Sequence, residues 1–179
     1  MVLETKYKKL ALMIDAVLRI SAVSLMWWNV LFGFMVNGML DAIDGDILGR
    51  LGVARSSYQK YDKLLDLWWY IAIFVYVVTR LEKNSIWWIL VASFVIRTVG
   101  IALYTLTNKE WLLFVFPDVF NWLFFLVIAS PMLFKFTGFN FYLILSGLIA
   151  FTLWREWALH IEKIDMTHFL IPWIRPKVW

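Results

Sequence analysis

Long apolar runs constrain the fold of this chain more than any other feature. Runs of membrane length lie at about 86–104, 111–134 and 138–159, and roughly 20 apolar residues suffice to cross a bilayer. Residues 61–80 supply another span, and residues 10–50 supply two if the chain breaks near 26–29. We therefore expect an all-α integral membrane bundle of six transmembrane helices in a single domain, with spans at 10–28, 30–50, 61–80, 86–104, 111–134 and 138–159.

Composition and charge agree with a membrane protein. Hydrophobic residues make up 63% of the chain and the mean hydropathy is +0.74, which exceeds the values of soluble domains. The absence of cysteine excludes disulfides and thiolate metal sites. The modest net charge of +4 gives no reason to expect a nucleic-acid partner.

The distribution of basic residues predicts the orientation. If the N-terminus is cytoplasmic, six alternating spans put most Lys and Arg on the cytoplasmic side of the cell membrane, as the positive-inside rule requires. The tail at 168–179 is rich in Trp, Pro and basic residues. We expect it to be an interfacial segment on the cytoplasmic leaflet.

The segment DAIDGDILGRLGVARSSYQKYDKLLD, residues 41–66, concentrates carboxylates in this apolar chain. Asp41 and Asp44 are three residues apart and Asp62 and Asp66 are four apart, so each pair shares one helix face. Gly and Ser in the intervening turn favour a hairpin that brings the two pairs together. Four close carboxylates require cations in a low dielectric, and an all-oxygen site suits Mg²⁺, Mn²⁺ or Ca²⁺.

Other ionisable residues are predicted at a similar depth, on the cytoplasmic half of the bundle. At 1.5 Å per residue, Asp15, Asp44, Arg97 and Asp118 each lie about 9–10 Å inside a helix end. Such residues normally line a cavity or pathway. Arg19 is expected to be a structural partner of a buried acid, whereas Arg97 either binds substrate or pairs with Asp118 or Asp15. So few basic residues at this depth leave the four acids to a metal.

The acidic segment resembles the signature of the CDP-alcohol phosphotransferases, D-x2-D-G-x2-A-R-x8-G-x3-D-x3-D. When the signature is set on Asp41, its other acids and its first glycine fall without a gap on Asp44, Gly45, Asp62 and Asp66. The family's Ala, Arg and second Gly are replaced by Leu48, Gly49 and Tyr58. The acidic part of the signature is therefore intact, and the nucleotide-contacting part is altered.

The resemblance implies a transferase of phospholipid synthesis. Such an enzyme moves a lipid phosphoryl group from a CDP-linked donor, such as CDP-diacylglycerol, to a small polar alcohol and releases CMP. It implies a two-metal site for Mg²⁺ or Mn²⁺ held by Asp41, Asp44, Asp62 and Asp66, with Asp66 also the catalytic base. It assigns nucleotide binding to Gly45 and Tyr58. The candidates for binding phosphate or the acceptor are Arg97, Arg50, Arg55 and Lys60. A homodimer surrounded by membrane lipids is implied as well.

Three alternatives remain open from the sequence. The altered positions favour a divergent transferase with a different nucleotide or diphosphate donor. A non-catalytic membrane protein that retains the metal site would tolerate Tyr58 as a packing residue, although the ring also offers a stacking surface to a nucleotide. A divalent-cation transporter is disfavoured, because the acids gather in one half of the predicted bundle.

Overall fold

The computed structural model describes residues 2–133 and 138–162. In these residues the regular structure is entirely helical, and the helices are α1 (Val2–Trp28), α2 (Val30–Arg50), α3 (Arg55–Arg80), α4 (Ser85–Thr107), α5 (Trp111–Val115), α6 (Val119–Leu133) and α7 (Gly138–His160). The chain forms two compact units, residues 2–69 and residues 70–162, whose boundary falls inside α3. The tail at 168–179, predicted to be interfacial, lies outside the described residues.

Helices occupy every predicted span, but the one expected over 111–134 is interrupted. It consists of the short α5 and the 15-residue α6, with Phe116, Pro117 and Asp118 between them. Proline lacks an N–H donor and disfavours helical backbone in the residue before it. Phe116 accordingly leaves the helical region, with φ −113° and ψ 72°. The sequence interpretation missed this break because the apolar run continues through it.

A tight corner joins α1 to α2 in the first unit. Asn29 is the N-cap of α2, in extended conformation, and its side-chain oxygen accepts a hydrogen bond from the backbone N–H of Phe32 at 3.0 Å. A Cβ added at Gly33 would lie 2.3 Å from the backbone nitrogen of Met26. Only glycine therefore allows the first turn of α2 to lie this close to α1. The corner turns α2 back along α1 and brings their polar residues together.

The surface of several helices is apolar. Two helical segments of the described chain, Tyr7–Trp28 and Ser85–Thr107, are long and apolar enough to cross a membrane. Large hydrophobic side chains are also exposed along α1, α2, α3, α4 and α7, including Trp28 at 79% exposure and Leu106 at 78%. Exposed apolar surface on a helix is typical of a face that lies against lipid or a partner protein.

Aromatic packing forms the core of the second unit. Phe74 of α3 stacks on Phe94 of α4 with ring centroids 4.2 Å apart, and Phe94 meets Phe120 of α6 edge to face. A Cβ on Gly100 of α4 would lie 2.4 Å from the Cβ of Phe116. The interruption between α5 and α6 therefore packs directly on a glycine of α4.

Candidate metal centre

Four carboxylates converge within the first unit. Asp41 and Asp44 lie on one face of α2, and Asp62 and Asp66 lie on one face of α3. Asp44 and Asp62 are buried, whereas the side chain of Asp41 is 49% exposed. The spacing within each helix and the turn between them thus produce the acidic cluster that the sequence predicts, formed by Asp41, Asp44, Asp62 and Asp66.

The guanidinium of Arg19 lies at the centre of the acidic cluster. Its Nη1 donates to Asp44 at 2.8 Å and to Asp62 at 3.0 Å. Its Nη2 donates to Asp66 at 2.9 Å and forms an ion pair with Asp41 at 2.8 Å. The Arg19 side chain is only 2% exposed. One residue of α1 thereby ties both acidic pairs together.

A second cation, Lys63, contacts the cluster on its more solvent-exposed side. Its Nζ donates to Asp62 Oδ2 at 2.8 Å and to Asp66 Oδ2 at 2.6 Å. The side chain is 15% exposed, so it is closer to solvent than Arg19. Two basic side chains therefore reach the four acids, which leaves two negative charges without a basic partner among the described contacts.

Tyr58, the largest departure from the family signature, is part of the same site. Its hydroxyl donates to Asp44 Oδ1 at 2.6 Å. A Cβ added to Gly45 would lie 3.0 Å from the Tyr58 hydroxyl oxygen and 3.3 Å from Cζ. The tyrosine ring therefore packs over Gly45 and engages the Asp44 oxygen that Arg19 leaves open. The two residues assigned to nucleotide binding lie in direct contact with each other.

Three of the acids meet the geometric requirement for a divalent ion. One oxygen each from Asp41, Asp62 and Asp66 lies within 4.8 Å of the other two. Oxygens on opposite sides of a hard divalent ion are separated by about 4–5 Å, twice the metal–oxygen distance. The residues therefore fit one ion. The chemistry of the ligands suits Mg²⁺, Mn²⁺ or Ca²⁺ and does not choose among them.

An apolar cavity adjoins the acidic cluster. It has a volume of about 270 Å³ and lies between α1 and α2, where aliphatic side chains, Asp15 and Asp44 line it. Asp15 accepts a hydrogen bond at 2.7 Å from the hydroxyl of Tyr61, and that hydroxyl also lies 2.7 Å from the carbonyl oxygen of Leu12. Asp15 therefore lies beside the cluster, as its predicted depth suggested. It contributes to the cavity wall.

Arg97 and Asp118 belong to a second buried ionic cluster, which lies within the second unit. Arg97 Nη1 donates to the backbone carbonyls of Phe116 and Leu113 at 2.8 and 3.2 Å, and it lies 3.7 Å from Glu156. Arg155 donates to Glu156 at 2.7 Å and lies 3.6 Å from Asp118. Arg97 thus binds carbonyls at the C-terminal end of α5, where helical carbonyls lack partners within the helix.

The remaining candidates for phosphate or acceptor binding are not brought into either ionic cluster by any described contact. Arg50, the last residue of α2, and Lys60, on the first turns of α3, are exposed. The side chain of Arg55 lies outside the described part of the chain. Their role in binding stays a prediction.

Sequence reasoning missed two kinds of residue. Glu156 is 1% exposed and contacts Arg97, Arg155 and His160, although it is not among the residues predicted from the sequence. The signal was available, because an Arg–Glu pair inside an apolar run is costly unless it has buried partners. Lys63 was the second such residue, and the available signal was its position beside Asp62 and three residues before Asp66.

Comparison of the chain with protein-family models, with curated proteins and with solved structures finds no match.

Proposed function

We propose that this chain is a six-span integral membrane phosphotransferase of phospholipid synthesis. In this proposal it moves a lipid phosphoryl group from a CDP-linked donor, such as CDP-diacylglycerol, to a small polar alcohol and releases CMP. The observation that carries the proposal is the convergence of all four signature carboxylates from α2 and α3 on one point. Burying such a carboxylate cluster in an apolar chain costs free energy, so clusters of this kind normally mark a functional site.

The membrane setting rests on the exposed surface. Two segments reach spanning length and apolarity, and exposed Trp, Phe, Leu and Ile side chains follow most of the other helices. In this proposal the remaining helices span as well, and ion pairing inside each unit lets them carry buried acids and arginines. The orientation with the acidic cluster towards the cytoplasm follows from the basic residues. The cavity beside Asp44 offers apolar volume next to the acids, as a lipid substrate needs.

The residues have separable roles in this reaction. Asp41, Asp62 and Asp66 would hold Mg²⁺ or Mn²⁺, which would neutralise charge on the donor diphosphate. Asp66 accepts the hydroxyl proton of the alcohol as the new phosphorus–oxygen bond forms and the bond to the CMP oxygen breaks. For that step Asp66 must exchange its contact with Lys63 for one with the alcohol. Before substrate binds, Lys63 therefore occupies the carboxylate oxygen of Asp66 that later accepts the proton.

A direct test is CMP release by the purified protein. The protein in detergent with Mn²⁺ is supplied with CDP-diacylglycerol and a panel of small alcohols that includes glycerol 3-phosphate, serine and inositol phosphate. We expect alcohol-dependent CMP release that is lost in Asp66→Asn and Asp41→Asn. Asp46→Asn, which removes a carboxylate of the same helix outside the signature, is the matched control. Release that persists in Asp66→Asn would refute the assigned base.

Two contacts favour a second candidate, a non-catalytic membrane protein that keeps the cluster for its own stability. Arg19 already neutralises part of the cluster, and Tyr58 covers Gly45 where the family approaches its nucleotide. The two candidates differ in nucleotide binding. A ligand present at about 100 times its Kd should stabilise the fold by about 2.7 kcal/mol. A metal-dependent melting shift with CDP or CMP therefore supports the transferase. A shift specific to another nucleotide supports a divergent donor, and no shift with any nucleotide supports the non-catalytic protein.

A further inference from the structure

The acidic cluster contains a permanent cation that the family signature does not include. A guanidinium has two terminal nitrogens, each with two N–H groups. In this site each terminal nitrogen contacts two carboxylates at 2.8–3.0 Å, Nη1 those of Asp44 and Asp62 and Nη2 those of Asp41 and Asp66. Arg19 thus contacts all four signature acids, three through hydrogen bonds and Asp41 through an ion pair.

The charges in the cluster leave room for one divalent ion. Among the described contacts, four carboxylates face the guanidinium of Arg19 and the ammonium of Lys63. Four negative charges against two positive ones leave two negative charges, the charge of a single Mg²⁺ or Mn²⁺. Two divalent ions in addition to both side chains would give the cluster a net positive charge of two.

The geometry selects the same stoichiometry. Asp44, which the resemblance assigns as a metal ligand, is 3% exposed. One of its oxygens accepts from Arg19 at 2.8 Å and the other from Tyr58 at 2.6 Å. The oxygens within 4.8 Å of one another come from Asp41, Asp62 and Asp66, without Asp44. Asp62 and Asp66 also have both oxygens on protein donors, but their second donor is the outer cation Lys63, whereas the second donor of Asp44 is Tyr58. Release of Lys63 therefore frees one oxygen each of Asp62 and Asp66 for an ion and leaves Asp44 bound to Arg19 and Tyr58.

We infer that Arg19 takes the place of one of the two metal ions, so that the site binds a single divalent ion between Asp41, Asp62 and Asp66. The inference rests on the proposed function for the metal site itself. Arg19 is the inner cation, fixed by four acids and buried. Lys63 is the outer cation, which gives up its hydrogen bonds to Asp62 and Asp66 when the ion binds but stays beside the cluster, so that its charge still counts. Tyr58 completes the arrangement by occupying the second oxygen of Asp44.

Counting Mn²⁺ ions tests the inference without an activity assay. The wild-type protein and Arg19→Met are purified in detergent, stripped with a chelator and titrated with Mn²⁺. Bound metal per chain is measured by elemental analysis, and the electron paramagnetic resonance spectrum separates isolated ions from exchange-coupled pairs. We expect one isolated ion per wild-type chain and a coupled pair in Arg19→Met. Arg19→Lys, which keeps one inner positive charge, is the matched control and should bind one ion.

If Arg19→Met does not fold, two further variants test whether Asp44 is a ligand of the ion. Replacing a residue that only orients the ligands typically weakens metal binding by about 10–100-fold, and replacing a ligand should weaken Mn²⁺ binding by more than that. We expect Asp41→Asn to show the larger loss, that of a ligand, and Asp44→Asn the smaller. Equal losses in these two variants would overturn the inference.

The remaining outcomes separate this inference from the proposed function. A coupled pair of Mn²⁺ ions in the wild-type protein would overturn the role of Arg19 and leave the proposed metal site standing. A single ion in both the wild-type protein and Arg19→Met would also overturn it. No bound Mn²⁺ in either protein would overturn the metal site and the inference together. Failure of CMP release with one ion bound would count against the reaction alone.

Discussion

Replacing Arg19 by methionine should destabilise the first unit strongly in the absence of metal. The substitution keeps a long apolar side chain and removes the shared partner of four carboxylates, which lie 2.8–3.0 Å from the guanidinium. Removing one partner of a buried ion pair typically costs about 3–5 kcal/mol, because the remaining charge stays buried without compensation. Since the Arg19 side chain is 2% exposed, solvent screens little of this cost.

The expected change in melting temperature follows from the size of the chain. For 150–250 residues, 1 kcal/mol corresponds to about 2–4 °C. The loss should therefore lower the melting temperature in chelator by at least about 6 °C. Mn²⁺ should restore much of it, because an ion at about 100 times its Kd adds about 2.7 kcal/mol per site. Arg19→Met should gain more from Mn²⁺ than the wild-type protein, since it has two sites to fill.

Thermal unfolding in detergent, followed by circular dichroism with chelator and with Mn²⁺, measures both effects. Arg50→Met is the matched control, because it removes an exposed arginine at the end of α2. That control should change stability by less than about 1 kcal/mol. If Arg19→Met and Arg50→Met melt together in chelator, the guanidinium does not hold the acidic cluster and the reasoning fails.

Three further changes have distinct expected outcomes. Lys63→Met should raise Mn²⁺ affinity by about tenfold, equivalent to 1.4 kcal/mol, because it removes the outer competing cation. An unchanged Kd in a Mn²⁺ titration of the purified variant would contradict this. Gly33→Ala should lower the free energy of unfolding by about 1–3 kcal/mol through overpacking, because its Cβ would lie 2.3 Å from the Met26 backbone. Gly38→Ala is the control, since its Cβ would have nothing within 4 Å, and it should leave the melting temperature unchanged. Glu156→Gln should cost about 3–5 kcal/mol, because the buried Arg97 and the partly buried Arg155 lose their shared carboxylate. The exposed Glu162→Gln is its control, and equal melting temperatures of the two variants would show that Glu156 does not stabilise the fold through these arginines.

The helices were largely predictable because they depend on local patterns. Apolar runs and their polar boundaries predicted helices close to the observed bounds, and the spacing of Asp41, Asp44, Asp62 and Asp66 predicted their convergence. The interruption at Pro117 had a local signal as well, since proline and the residue before it both oppose helix. The unbroken apolar run outweighed that signal in the interpretation of the sequence.

The partners of the acids were not predictable from helix positions alone. Arg19 lies 22 residues before Asp41, the nearest in sequence of the acids it contacts. Its position in the cluster depends on the corner at Asn29 and Gly33, which turns α2 back along α1. Tyr58 was noted as a departure from the signature, but its contact with Asp44 depends on the turn between α2 and α3. Glu156 has its partners on α4 and α7, so their pairing requires those two helices to be packed together.

The sequence by itself determined the class of fold, most of the places where the helices break and the presence of four acids able to share a cation. These properties follow from hydrophobicity, from backbone propensity and from spacing within one helix, all of which act over a few residues. Only the tertiary structure decided which cations share the acids. That choice depends on side chains from α1, α2 and α3 meeting within about 3 Å, the range in which charge-assisted hydrogen bonds form. The packing of distant segments sets such distances, and no local pattern encodes them.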